Sequence, residues 1–423
     1  MAQIKSNSPL TWLADPLRPT HADAAEAYRF SGGAAWWSIP LVVGIALLIV
    51  TAIGGGSDRE QFFFSYLIGW VFCLTIALGS LFFVLIQHLT KAAWSVVVRR
   101  IPEGLLWTFP LLALLSFPVI YGMHDLYHWT HHELFDPASP EYDRVIAGKE
   151  AFLNVPFFLI RLLFYFSAWT LLAYKLYSLS IRQDVTGEED IPARLRKVSA
   201  WGLPLFAITT AFGGIDLLMS LDPHWFSTMF GVYFFAGCFV GALATIAFTT
   251  LLVQGPGRML SGVVTTEHHQ DLGKLLFGFT VFWTYIAFSQ YMLIWYGNLP
   301  EETVWFRHRL EHGWQYHSAA LLIMHFIIPF VVLLPRASKR TPAILGFMTV
   351  WMLVMHWFDL HWIAMPVLDT ARGGHAAFHW LDFTCWLGLF GVFYGLFMYR
   401  FSRHSLVPTN DPNLAKSLRF TNS

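Results

Sequence analysis

Six ionisable side chains stand inside stretches that are otherwise apolar. Arg161 lies in NVPFFLIRLLFYF, Asp216 in GGIDLLMSL, His325 in LLIMHFIIP, His356 and Asp359 in VMHWFDLHW, and Asp382 in FHWLDFTCW. A charge in hydrocarbon is costly, so such groups face a protein interior, pair with one another and mark routes for protons or ligands. His356 and Asp359 are three apart and share a helical face. A His/Asp pair in an apolar pocket is what accepts a proton from a hydroxyl undergoing oxidation. Arg161 is expected to pair with Asp216 or Asp359, leaving His325 and His356 as titratable neighbours. The result is either an ion-pair network that fixes packing or an outward-opening half-channel or quinol pocket.

A second group is YGMHDLYHWTHH, in which Tyr121, His124, Asp125, His128 and His132 fall at i, i+3, i+4, i+7 and i+11. That spacing predicts one face of a helix continuing past the membrane surface. Asp125 on that face would fix an imidazole tautomer and raise its pKa, which suits proton relay. The pairs His124/His128, His308/His312 and His375/His379 also match the histidine boxes of membrane di-iron desaturases and hydroxylases, an alternative reading in which imidazoles converge on iron. Haem is disfavoured, since His361 and His375 are separated by Pro366, Gly373 and Gly374, which cannot continue as helix.

The turn LDPHWF has a local explanation. Asp222 suits an N-cap, Pro223 the first helical position and Trp225 a membrane interface, so Asp222, Pro223 and His224 read as a structural turn. Asp216, a turn or more earlier, has no capping role. Downstream, Gly237-x-x-x-Gly241 is of the type that permits close helix contact.

The elements that must position these groups are membrane helices. Hydrophobic residues make up 56% and charged residues 13% of the 423, and the mean hydropathy is +0.51, too little charge for the surface of a water-soluble globule. Net charge is zero, which gives no overall attraction to nucleic acid. Cys73, Cys238 and Cys385 lie singly in apolar runs, so no cysteine-ligated cluster or attached haem is expected. Ten runs can each cross a hydrocarbon core of about 30 Å. They are approximately 35–53, 62–87, 104–121, 151–179, 201–221, 225–253, 275–296, 317–334, 342–362 and 378–399. Of 27 lysines and arginines, 20 fall in the termini and even-numbered connections, so both termini are expected in the cytoplasm. Histidine is distributed oppositely, with 12 of 18 near outward-facing connections. The layout is an N-terminal cytoplasmic arm over 1–34, a membrane domain over 35–400 and a C-terminal cytoplasmic tail over 401–423, both ends disordered or held by partners.

GGIDLLMSLDPHWFSTMFGVYFFAGCFVGALA, the upstream AGKEAFLNVPFFLIRLLFYFSAW and the ten-span layout resemble the ActF-type membrane subunits of bacterial alternative complex III, within the NrfD/polysulfide-reductase superfamily. The resemblance covers nearly the whole chain. It implies an all-α polytopic fold of two four-helix bundles plus two flanking helices, in the bacterial inner membrane. It implies a subunit of a quinol:cytochrome c (or other high-potential acceptor) oxidoreductase with no redox centre in this chain. Partners would be an NrfD-like paralogue, an iron–sulfur subunit and multihaem cytochrome c subunits carrying haem c and iron–sulfur clusters, besides lipids. Quinone or quinol is the one small molecule it suggests at this chain. His356 with Asp359, or His124 with Asp125, would supply the base; Arg161, Asp216, His128, His325 and Asp382 are further proton-transfer or quinol-site candidates. The remaining alternative is a scaffold that holds the peripheral subunits and moves no protons.

Overall fold

The computed structural model describes residues 28–254 and 259–422, so most of the N-terminal arm lies outside the described residues. Ten helices are long and apolar enough to cross a membrane, and the protein is an all-α polytopic membrane protein. They are α1 (Ala35–Gly54), α2 (Arg59–Leu89), α3 (Val96–Tyr121, in pieces), α4 (Val155–Thr186), α5 (Ile191–Leu217), α6 (Phe230–Gln254), α7 (Thr266–Gly297), α8 (Trp314–Leu333), α9 (Pro342–Ala371) and α10 (Trp380–Phe401).

Helices α2 to α5 pack as one four-helix bundle and α6 to α9 as a second, joined mainly along α2 and α6, while α1 and α10 flank them as a pair. The most apolar stretch of α2 is 94% buried, against 17% for α1. Thus α2 is the central column and α1 a lipid-exposed flank. Two crossings require glycine: a Cβ on Gly44 of α1 would lie 2.6 Å from the Val392 backbone nitrogen, and one on Gly79 of α2 would lie 2.1 Å from the Cys238 carbonyl. Without side chains at these points the backbones approach closely and dispersion contacts replace lipid contacts.

Helix α3 is not continuous. It runs over Val96–Leu106, Phe109–Leu114 and Phe117–Tyr121, with Pro110 and Pro118 at the first turns of the later pieces. Each proline removes a backbone donor and clashes with the preceding turn, so the helix restarts where it sits. The π-helical turn Leu321–Ile327 of α8 is a comparable irregularity, ending just before Pro329, and it carries His325.

The C-terminal tail is packed against its own bundle, contrary to the expectation of disorder or capture by a partner. Arg99 and Arg100 are buried, and they are matched by Glu103, Asp184 and the tail residue Asp411. Asp411 accepts from Arg99 Nη2 at 2.5 Å, and Asp184 accepts from the Thr409 backbone N–H at 3.0 Å. Leu406, Val407, Leu414 and Leu418 bury the tail's apolar positions, and the Leu406 N–H donates to the Tyr28 carbonyl at 2.9 Å. Two buried guanidinium groups need anions, and the tail supplies one of them.

Candidate functional site

Asp359, in the middle of the second bundle, is 2% exposed. Tyr233 of α6 donates its hydroxyl to Oδ1, and Trp283 of α7 donates its indole N–H to Oδ2 at 3.1 Å. One helical turn away His356 is hydrogen-bonded through Nε2 to Thr75 Oγ1 of α2 at 2.8 Å, and its Nδ1 has no partner. The His325 ring lies over Trp283 with centroids 3.8 Å apart, and neither of its nitrogens is bonded. Helices α2, α6, α7, α8 and α9 therefore converge on one carboxylate and two imidazoles. Glycine makes the room: a Cβ on Gly241 would lie 2.8 Å from His356 Cδ2, and one on Gly237 3.2 Å from Cε1. These two glycines lie where α6 packs on α9, and the His356 imidazole of α9 fills the space they leave.

Tyr233 and Trp283 have a second side. Both line a cavity of about 450 Å³ bounded by α6, α7, α8 and the short helix Pro300–His308. Phe288 and Tyr291, exposed on the membrane flank, border it, so it opens towards lipid. Its polar atoms are few. Gln290 presents a buried Oε1 without a partner, and Arg309 is 1% exposed. The Arg309 guanidinium donates to the carbonyls of Trp305 at 2.7 Å, Trp362 at 3.2 Å and Ile363 at 2.5 Å and stacks 3.4 Å from the Trp305 ring centre. Burial pushes its pKa down to about 9, with Asp222 acting in the opposite sense. An apolar, largely preformed cleft with a few converging polar groups is the usual form of a small-molecule site.

Arg161 pairs with Asp216, not Asp359. Its Nε and Nη2 donate to the two carboxylate oxygens at 2.8 Å each, Tyr165 adds a third bond at 2.8 Å, and Nη1 donates to the Phe152 carbonyl at 2.9 Å. This clamp joins α4 to α5 in the first bundle, away from Asp359. Asp382 is again separate. As third residue of α10 it accepts from the His379 backbone N–H at 2.8 Å, from Ser65 at 2.5 Å and from Gln61 at 2.9 Å, with His361 Nε2 at 3.4 Å. The six buried groups thus form three clusters, not one ring at a common depth. At 1.5 Å per residue Asp359 lies about 18 Å from the end of α9 and Asp382 about 3 Å from the start of α10.

The histidine motif does not form a continued helix. After Met123–Leu126 the chain is extended at Tyr127, turns through His128–Thr130, is extended again at His131 and turns through His132–Leu134. Tyr127 and Trp129 are buried, and Tyr127 donates to the Leu217 carbonyl at 3.1 Å, which pulls the segment onto the bundle. Asp125 bonds Arg59 at 2.9 Å instead of an imidazole. His124 bonds Thr130 at 3.1 Å, and the His131 ring lies 5.5 Å from that of His124 and 5.6 Å from that of His128. These rings, with His224, His308 and Asp222, line an open hollow of about 550 Å³ at this histidine-rich end. Burial, with His131 and His224 beside it, lowers the His128 pKa. The other boxes share no helical face either: the helix ends at His308, His312 has a φ of +51°, and His375 precedes α10. Among the described residues no three His, Cys, Asp or Glu side chains are arranged to hold a metal ion.

The turn after α5 differs from its reading as well. Asp222 ends the single turn Met219–Leu221, and α6 begins only at Phe230, so neither Asp222 nor Pro223 caps it. Three other contacts hold the turn: Lys149 Nζ donates to the Pro223 carbonyl at 2.6 Å, His224 Nε2 meets Asp143 Oδ2 at 2.6 Å, and Trp225 stacks on Trp305 at 4.4 Å. Trp225 is 3% exposed, inside the protein rather than at the lipid interface.

Fold and site define a polytopic helical membrane protein with a carboxylate–tyrosine–tryptophan–histidine cluster behind a lipid-facing cleft. No family model matches the chain, and no curated protein matches it.

Proposed function

We propose that this chain is an integral membrane subunit of a bacterial respiratory complex that oxidises quinol and passes the electrons to cytochrome c or another high-potential acceptor. It contributes a quinol pocket and a proton acceptor, and its partners hold the redox centres. The observation that carries this reading is that the two side chains donating to Asp359, Tyr233 and Trp283, are also the wall of the cleft.

In this reading the aromatic cleft admits a quinol head from the bilayer, with Gln290 Oε1 and Tyr233 Oη as its polar anchors. One quinol hydroxyl gives its proton to Tyr233 Oη as the Tyr233 proton passes to Asp359 Oδ1, a relay that leaves tyrosine neutral. The second hydroxyl's proton follows by the same relay after Asp359 has released the first. An iron–sulfur cluster or haem c of a neighbouring subunit would take the two electrons. The NrfD-like paralogue, iron–sulfur subunit and multihaem cytochrome would dock at the histidine-rich end, facing the periplasm, with both termini in the cytoplasm of an inner-membrane assembly. The mutually paired and buried Arg161–Asp216 clamp favours a scaffolding role for that part of the chain.

The test is quinol oxidation by the intact complex carrying Asp359→Asn or Tyr233→Phe. Loss of turnover at preserved assembly is expected. Unchanged turnover in both variants would reduce the subunit to a scaffold.

A further inference from the structure

We propose that the groove between α3, α4 and the end of α10, at the tail-bearing end, binds one anionic phospholipid by its phosphate, with Arg400 as the recognising cation. This hollow of about 440 Å³ is lined by Trp107, Tyr174, Tyr177, Ser178 and Arg182 besides Arg400. It is remote from the Asp359 cluster and independent of the quinol reading.

The groove is distinguished by a cation without an anion. Arg182, the other arginine lining the groove, holds Glu188 at 2.6 Å, and the buried Arg99 and Arg100 behind it share Glu103, Asp411 and Asp184. Arg400 makes no ion pair among the described residues, and its Nε is buried without a hydrogen-bond partner. Its guanidinium lies 5.5 Å from the Trp107 ring centre and 5.3 Å from that of Tyr177. A planar guanidinium stacked on aromatic faces is pre-organised for two-point binding of phosphate oxygens. The field here is positive: His404, edge-on to Tyr177 at 5.9 Å, has its pKa pushed down to about 4, first by burial and then by Arg400 and Arg100.

The surroundings identify the anion as a lipid. Trp107 and Tyr174 are 43% and 70% exposed on the membrane flank, as aromatic residues at headgroup depth are. Towards the bilayer centre the same flank exposes Leu114, Leu171 and Leu163, a wall that suits acyl chains and offers nothing to a free ion. Basic hollows between membrane helices near the headgroup layer take anionic headgroups in this way.

The test is native mass spectrometry of the delipidated full-length chain titrated with phosphatidylglycerol, phosphatidylcholine or inorganic phosphate. One retained phosphatidylglycerol is expected, bound about fivefold more tightly than phosphatidylcholine, undisplaced by millimolar phosphate and lost to a similar degree in Arg400→Gln. The wild-type headgroup preference stands as a readout even if that variant folds poorly, and Arg400→Lys should retain part of it. Equal retention of the two lipids, an unchanged Arg400→Gln, or displacement by inorganic phosphate would each overturn the proposal.

Discussion

Arg161 and Asp216 meet through two parallel hydrogen bonds, both 2.8 Å, across the α4–α5 interface, with side chains 9% and 2% exposed. Tyr165 donates a third bond to the same carboxylate. Such a pair is worth little against an apolar replacement of the same shape, but removing one partner strands the other charge. Asp216→Ala should therefore lower stability by about 3–5 kcal/mol, whereas Arg161→Met combined with Asp216→Leu should recover most of it. Unfolding of the purified chain in detergent measures both. Equal losses in the single and double variants would show that the stranded charge is not what costs stability.

Asp359 behaves differently because its two donors are neutral and both of them line a cleft. Asparagine keeps the shape and one acceptor oxygen but cannot take a proton. On the proposed quinol-oxidising function, Asp359→Asn should reduce turnover of the intact complex by about 10²-fold, the usual worth of a positioned base, with little change in unfolding temperature. Tyr233→Phe should act in the same direction. A large stability loss without a specific turnover loss would assign the cluster to packing.

Gly241→Ala tests how tightly His356 is held. The new methyl would stand 2.8 Å from His356 Cδ2, and the ring is pinned on its other side by Thr75 and Phe72. Overpacking of this kind costs about 1–3 kcal/mol. Gly237→Ala, at 3.2 Å, should cost less. If the order is reversed, the helix–helix spacing and not the imidazole sets the requirement.

These clusters show how far the sequence can be read. Membrane helices were legible because hydrophobic length is a one-dimensional property, and all ten appear. Some have an end extended by a turn or more, as in α5, which starts at Ile191 rather than Trp201, and others start later, as in α6, which starts at Phe230 rather than Trp225. Buried ionisable groups were legible for the same reason. Their partners were not, because pairing depends on helix order around the bundle: Arg161 had two candidate carboxylates and only packing chose Asp216. Tyr233 and Trp283 gave no signal, being aromatic residues among 17% aromatic composition. Asp222 shows the opposite error, a sound local capping pattern overridden when Trp225 finds Trp305 and holds the chain off the helix until Phe230.

At the histidine-rich end Arg372 joins α9 to Asp58 and Glu60, at 2.6 and 2.9 Å. The bond from Arg372 holds the Asp58 carboxyl below its usual value of 3.8, against a smaller opposing effect of burial. The native state then binds fewer protons than the unfolded chain in acid. The stabilisation is complete above about pH 4 and disappears as pH falls through the lower native value. Arg372→Gln should therefore narrow the gap to wild type as pH is taken from about 6 to about 3, followed by unfolding temperature. A gap that stays constant across that range would mean that the pair carries no linkage.

The tail offers a prediction that separates docking from mere proximity. Asp411 gives Arg99 its second carboxylate, at 2.5 Å and 7% exposed, while Glu103 must serve Arg99 and Arg100 together. Asp411→Ala removes a charge-assisted bond worth about 1.5–3 kcal/mol and leaves a buried guanidinium sharing one anion. What remains to hold the tail is apolar burial of Leu406, Val407 and Leu414 and the backbone bonds to Asp184 and Tyr28. The variant should free the tail before it unfolds the bundle, so trypsin should cut at Arg403 and Lys416 several-fold faster while the membrane domain stays intact. Cutting at the wild-type rate would show that apolar burial alone seats the tail and that the Arg99–Asp411 pair is incidental to it.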